Sequence, residues 1–361
     1  MKKSEMIKEV INKYECSVEG YSFSKSKYLP KLFEIITTED DLKVMINLPG
    51  DSKKVAKDLG ISGEKASEHL KDLYLRGLIF IKENTAADNP FYCFTDIGIM
   101  MDSILFDTSY KKYGDSFYDL WQKYLNEEHI QMYQVLDAFR VLPVEETITK
   151  KEVLESTKIV PLEIASEMLK KARRIAVANC PCRTRERRCS SPLETCIAMD
   201  KLADWEISRG MAREITLDEA KQILKLSEEA GLVHETINSD TPDVICNCCG
   251  CCCSLLRTVL VFGVESAIMK SRYMATFDLK KCKDCKEKLC TVKCIFGGIK
   301  KIDGNLIINS QKCWGCGLCA SVCPNDAIIM KEVRGEEHIP TNGAKFFPYD
   351  SILVKKHRNL P

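Results

Sequence analysis

Apolar positions in the first third of the chain recur at helical spacing and then switch to strand-like alternation. "DLKVMINL" (41–48) and "SKKVAKDLG" (52–60) each place a short apolar stripe on one face, the second ending at Gly60. "SGEKASEHLKDLYLRGL" (62–78) predicts a longer helix, with Ser62 as N-cap and Ala66, Leu70, Leu73 and Tyr74 on its inner face. "LIFIKE" (78–83), a turn at "NTAADNP" (84–90) and "FYCFTDIG" (91–98) predict a β-hairpin. From Met101 to about Arg174 the pattern is mostly helical, and Phe117, Tyr118, Trp121 and Tyr124 have the spacing of core residues. "TLDEAKQILKLSEEAG" (216–231) carries a Thr216/Glu219 capping box and ends at Gly231, predicting a rigid helix between two cysteine-rich stretches.

Three helices followed by a hairpin, over about residues 38–100, resemble the winged-helix domains of small bacterial regulators. The would-be recognition helix, 64–76, sets Lys65, Lys71 and Arg76 against Glu64, Glu68 and Asp72, so its charge cancels. A DNA reader needs a basic face toward phosphate. Protein contact or dimerisation is therefore expected of this module ahead of DNA binding.

Composition narrows the class. The 361 residues suit two or three domains, and 53 Lys+Arg against 52 Asp+Glu leave no global charge argument for nucleic acid or an anionic membrane. "MKKSEMIKEVINKYE" lacks the apolar centre of a secretory signal. No run approaches the roughly 18 apolar residues of a membrane span; the nearest, "LLRTVLVFGVESAIM", is broken by Arg257 and Glu265. A cytoplasmic location is expected, and there cysteines serve as metal ligands more than as disulfides. Of the 20 cysteines only Cys16 and Cys93 lie outside 180–323, and these two read as small apolar residues or free thiols.

"CWGCGLCASVCP" sets Cys313, Cys316, Cys319 and Cys323 in C-x2-C-x2-C-x3-C-P spacing, and "CKDCKEKLCTVKC" upstream sets Cys282, Cys285, Cys290 and Cys294 in a related repeat. A zinc ribbon would show two C-x2-C pairs without a third close cysteine. Residues 275–332 resemble the two-cluster [4Fe–4S] ferredoxins. That resemblance implies one cube on Cys282, Cys285, Cys290 and Cys323, and another on Cys313, Cys316, Cys319 and Cys294. The chain departs from the pattern in having four residues before Cys290 and Ile295 where proline usually stands.

Ten cysteines remain upstream. Cys180, Cys182, Cys189 and Cys196 form a C-x-C-x6-C-x6-C array sufficient for one cube, with Pro181 and Pro192 stiffening its loop. Arg183, Arg185, Arg187 and Arg188 surround it, as a solvated basic loop or as donors that offset cluster charge. "ICNCCGCCCS" then packs Cys246, Cys248, Cys249, Cys251, Cys252 and Cys253 into eight positions. In an extended run Cys246 and Cys248 face one way and Cys249 the other, while Cys251–253 are expected to open the following helix. Six thiolates exceed what one cube accepts. Two separate cubes with two cysteines spare, one cube plus a sulfide-bridged pair of cubes with three thiolates each, or a non-cubane cluster remain open, and an unusual cluster is preferred.

Dinucleotide and P-loop motifs are absent. His69, His129, His234, His338 and His357 are scattered and expected at the surface, His234 being the one candidate proton donor. The expected fold is α+β and multidomain: a winged-helix-like domain (1–100), a helical linker (101–178), a cysteine-rich iron–sulfur domain (179–270), a two-cluster ferredoxin (271–335) and a tail (336–361). The expected function is that of an anaerobe-type iron–sulfur oxidoreductase or electron-transfer subunit. Electrons from a ferredoxin or flavoprotein would pass through the cubes to the upstream cluster, which reduces a substrate or a partner's cofactor. The alternatives are a redox-sensing winged-helix regulator and a pure electron carrier, either one in a homodimer or larger complex.

Overall fold

The computed structural model describes residues 1–14, 23–82, 88–94, 97–106, 113–130, 139–282, 285, 289–302 and 305–341. Its N-terminal part is built from helices α1 (Lys3–Ile11), α2 (Leu29–Ile36), α3 (Glu39–Ile46), α4 (Ser52–Leu59) and α5 (Gly63–Leu75). The short antiparallel hairpin β1 (Phe80–Ile81) and β2 (Tyr92–Cys93) follows, then α6 (Ile97–Phe106) and α7 (Gly114–Glu127). The expected caps form: Ser62 accepts from Lys65 N–H, and Gly60 is left-handed at φ 66°. Helix α3 begins two residues before the apolar stripe because Thr38 and Asp41 make a reciprocal capping box. Phe117, Tyr118, Trp121 and Tyr124 are buried in one core with Met6, Leu32 and Leu70. That core runs on past residue 100. Cys93 packs half-buried at its edge, while Cys16 lies outside the described residues.

The second part corrects the expected helical linker. Strand β3 (Phe139–Leu142) is followed by α8 (Glu145–Ile148), α9 (Lys151–Leu154), α10 (Ala165–Lys171) and β4 (Ile175–Asn179). Next come α11 (Pro181–Glu186), β5 (Glu194–Met199), α12 (Asp200–Ser208), β6 (Ala212–Glu214) and α13 (Leu217–Glu229). Then β7 (Val233–Ile237), β8 (Val244–Cys248), α14 (Ser254–Leu260) and β9 (Ile268–Met269) complete a seven-stranded sheet ordered β6-β4-β5-β8-β7-β3-β9. Only β3 and β9 are parallel neighbours. The short linker strands β3 and β4 escape a periodicity reading because both faces of the sheet are covered, which removes polar alternation. Ile175, Val177, Ile197 and Ile245 pack with α10 and α13, while Ala176, Ala178, Cys196 and Val244 pack with α12.

The third part has two halves of similar build. Strand β10 (Tyr273–Phe277), α15 (Leu289–Lys293) and β11 (Ile299–Ile302) precede β12 (Asn305–Ile308), α16 (Leu318–Ser321) and β13 (Ile328–Glu332). Strand β10 pairs with β13 and β11 with β12, both antiparallel. Most of the four-residue stretch before Cys290 lies outside the described residues, as does the tail beyond 341. Among the described residues no helix is long and apolar enough to cross a membrane.

Candidate metal centres

The fold divides the ten upstream cysteines into six and four. Strand β8 pairs with β5 through Ile197↔Ile245 and with β7 through Glu235↔Cys246. Side chains alternate along a strand, so Cys246 and Cys248 share a face and Cys196 joins them from β5. Cys180 and Cys253 stand at the N-caps of α11 and α14. Each thiol touches the next in the series Cys180, Cys182, Cys253, Cys248, Cys246, Cys196. Glu235 is fully buried beside them and lies within 4.8 Å of Cys248 and Cys253. Burial, reinforced by Cys246, pushes its carboxyl well above the usual carboxylate range.

The remaining four gather elsewhere. Arg187 is left-handed at φ 52° and turns the chain out of α11, which parts Cys189 from Cys180, Cys182 and Cys196. Cys189 Sγ lies 3.7 Å from both Cys249 Sγ and Cys252 Sγ, and Cys251 Sγ lies 3.7 Å from Cys252 Sγ. The C-x-C-x6-C-x6-C array is therefore not one site. Cys251 and Cys252 belong to a turn before α14, which starts only at Ser254, so they do not open the helix as expected.

The arginines resolve into two kinds. Arg183 and Arg185 are only 4% and 2% exposed, which excludes a solvated loop for them. Arg183 donates to Asn247 O (2.8 Å) and pairs with Thr195, and Arg185 donates to Ser254 Oγ (2.5 Å). Burial opposes the Arg183 charge, yet the neighbouring Cys180, Cys248 and Cys249 raise its pKa above the ordinary arginine value. A buried guanidinium costs several kcal/mol unless it meets negative charge, which metal-bound thiolates would supply. Arg187 and Arg188 are more exposed, paired with Asp115 and Glu186.

Downstream, the thiols of Cys290, Cys316 and Cys319 each have other cysteines as neighbours. Cys285, Cys323 and Cys282 are the thiols that act on Cys290. Cys294 and Cys313 act on Cys316, whose thiol burial pushes up to about 12, and Cys316, Cys294, Cys313 and Cys290 act on Cys319. Cys294, Cys313, Cys316 and Cys319 line one partly open space with Phe296 and Met330. A donor set of four thiols around an apolar-walled space fits a cuboidal iron–sulfur cluster. Gly315, at φ 72°, lets the loop press on β10: a Cβ there would stand 2.1 Å from Ser271 Oγ and 2.2 Å from Tyr273 O. Cys316 O accepts from Val144 N–H (2.9 Å), seating the loop on the sheet.

Two histidines are buried, contrary to expectation. His129 lies under α7, and His234 has its ring nitrogens 2.6 Å from Asn247 Oδ1 and 3.1 Å from Glu228 Oε1. On β7 His234 pairs with Asn247, so it faces away from Cys246 and Cys248, and its neighbour Glu235 takes the position beside the thiols. Glu235 carries no sequence signal of its own; only the β7–β8 register reveals it. His338 bonds to Lys270 O, His69 pairs with Asp41, and His357 lies outside the described residues.

Comparison with known proteins bears on the C-terminal segment alone. Residues 306–329 match the family model of the 4Fe-4S binding domain. An iron–sulfur protein of Rhodospirillum rubrum is 40% identical over 50 residues, covering 14% of this chain and 26% of that protein. An uncharacterized ferredoxin of Methanocaldococcus jannaschii is 39% identical over 51 residues, 14% of this chain and 31% of that protein. A ferredoxin of Streptomyces griseus is 36% identical over 56 residues, 16% of this chain and 53% of that protein. The chain thus spans between about a quarter and a half of the length of these relatives. No solved structure matches it. The C-terminal segment carries a ferredoxin-type 4Fe–4S domain, whose chemistry is iron–sulfur electron transfer.

Proposed function

We propose that this chain takes electrons from a partner ferredoxin or flavoprotein through two [4Fe–4S] cubes and delivers them to a larger cluster held by six upstream cysteines. In this reading Cys282, Cys285, Cys290 and Cys323 hold one cube, and Cys294, Cys313, Cys316 and Cys319 the other. Cys180, Cys182, Cys196, Cys246, Cys248 and Cys253 bind the larger cluster, a number that suits a sulfide-bridged pair of cubes with three thiolates each. A bound cluster supplies one-electron transfer tuned by burial and hydrogen bonds. The observation that carries the reading is continuity. Cys248 and Cys253 pack in the same apolar cluster as Trp314, Phe296, Leu318 and Cys316, with the Trp314 and Phe296 rings stacked 4.9 Å apart. The route runs mostly through buried apolar side chains, and Arg183 and Arg185 would offset thiolate charge at its far end.

Iron and sulfide analysis with electron paramagnetic resonance on anaerobic full-length protein tests it. About sixteen irons in the ferredoxin and six-thiol sites together are expected. Cys248→Ser should abolish the upstream signal and leave the ferredoxin signals in place. Only eight irons in the wild type would sink the upstream cluster.

A regulator has one observation in its favour. Helix α11, which carries Cys182, packs against α6 and α7, with Arg187 paired to Asp115 and Arg185 6.0 Å from the Trp121 ring. Against it, Arg76, one of three cations on the would-be recognition helix, is spent internally on Asp41, Asp72 and Ile36 O. A gel shift at several salt concentrations separates the readings: salt-sensitive retention of DNA favours the regulator.

A further inference from the structure

The geometry points to a second kind of metal site in this chain: Cys189, Cys249, Cys251 and Cys252 are the four ligands of a single divalent ion of zinc's class, separate from the iron–sulfur clusters. Three of their sulfur–sulfur distances are 3.7 Å, and all four sulfurs lie within 4.8 Å of one another. A tetrahedral zinc with Zn–S bonds near 2.3 Å sets its thiolates about 3.8 Å apart. Thiolates on a cube stand on four different irons and spread to roughly 6 Å. The ferredoxin half provides a comparison within the same chain. Its eight sulfurs are gathered in fours, yet among the described residues none of them enters so tight a set. The six upstream thiols touch in series, and among the described residues the quartet alone gathers four sulfurs within 4.8 Å of one another.

The surroundings fit four ligands and no open position. Arg188 N–H reaches Cys252, and the backbone N–H and hydroxyl of Ser191 reach Cys189. Such hydrogen bonds to sulfur orient ligands and moderate their charge. Four thiolates on a divalent ion carry a net charge near −2, and buried Arg257 lies close enough to Cys252 to act on it. The ion ties the turn after α11 to the end of β8, segments 60 residues apart. Its binding free energy becomes folding free energy for the frame that carries the six-thiol pocket. A closed tetrathiolate site is structural, not catalytic.

The test uses full-length protein purified anaerobically, analysed for zinc, iron and acid-labile sulfide and by X-ray absorption at the zinc edge. About one zinc per chain is expected, with four sulfur neighbours at about 2.3 Å and no iron neighbour. Cys251→Ser and, separately, Cys189→Ser should each lower zinc at least tenfold while the iron and sulfide of the ferredoxin domain stay unchanged. Loss of one iron without sulfide would support the same single-ion site with iron in place of zinc. A wild type without zinc, whose variants lose about four irons together with sulfide, overturns the proposal and makes the quartet a cube. The wild-type spectrum needs no variant to fold. Zinc on four sulfurs in a chain with only eight irons would uphold this site and sink the electron-relay reading, so the two failures are distinguishable.

Discussion

Arg257 on α14 donates through Nη1 to Glu186 Oε1 on α11 at 2.9 Å, and both side chains are buried. The pair locks together the two helices whose N-caps are Cys180 and Cys253, so it sets the shape of the six-thiol pocket. Glu186 also meets Arg185 and Arg188, so losing Arg257 leaves the carboxylate partnered, whereas losing Glu186 strands two buried guanidinium groups and costs about 3–5 kcal/mol. Glu186→Leu should therefore lower the denaturation midpoint and deplete upstream iron more than Arg257→Met does. Adding Arg257→Met to Glu186→Leu should recover part of that loss, because it removes one of the stranded cations. A double variant no better than Glu186→Leu alone contradicts this account.

Gly315→Ala should empty one ferredoxin site. The left-handed φ of 72° and the contacts of 2.1 and 2.2 Å leave a Cβ no room. About four irons per chain should be lost, with the spectrum of the remaining cube retained. Normal iron content in the variant would show that the loop can move off β10.

In the proposed assignment the fourth cysteine of each repeat is exchanged between sites. Cys294→Ser should alter the resonance that Cys313→Ser also alters, and Cys323→Ser the resonance that Cys285→Ser alters. The opposite pairing, read by paramagnetic resonance of the reduced variants, would mean that each repeat holds its own cube.

His129 gives the N-terminal core a pH dependence. Burial, and then the charge of Arg185, depress its pKa from 6.5 to about 4. Between those values the unfolded chain binds a proton that the native chain refuses, so stability is complete above about pH 6.5 and falls as pH drops toward 4. The span amounts to about 3 kcal/mol at most. Urea unfolding followed by tryptophan fluorescence should show this slope, and His129→Phe should flatten it. Parallel wild-type and variant curves would remove His129 as the cause.

Much of the helical framework is legible in sequence because caps and apolar stripes are local. Ser62, Thr216 and Gly60 mark helix ends through their own backbone hydrogen bonds or left-handed φ, and the structure keeps each of them. Strands β3 and β4 were hidden inside an apparently helical stretch, since a strand buried on both faces loses the alternation that announces it. The burial of His129, His234, Arg183 and Arg185 was hidden for a related reason: polar residues signal exposure until a tertiary partner is known.

The ferredoxin motif is legible in the sequence itself, because its short fixed spacings set three close thiols of a cube wherever the loop sits. For the upstream ten, sequence supplied the count and the alternating directions of Cys246, Cys248 and Cys249. Their division into six and four came only from the tertiary fold. Strand register brings Cys196 and Glu235 to one side of β8. The left-handed Arg187 sends Cys189 to join Cys249, Cys251 and Cys252. Ligand sets drawn from distant segments depend on which strands pair and where the backbone turns, and both are settled by packing across the sheet.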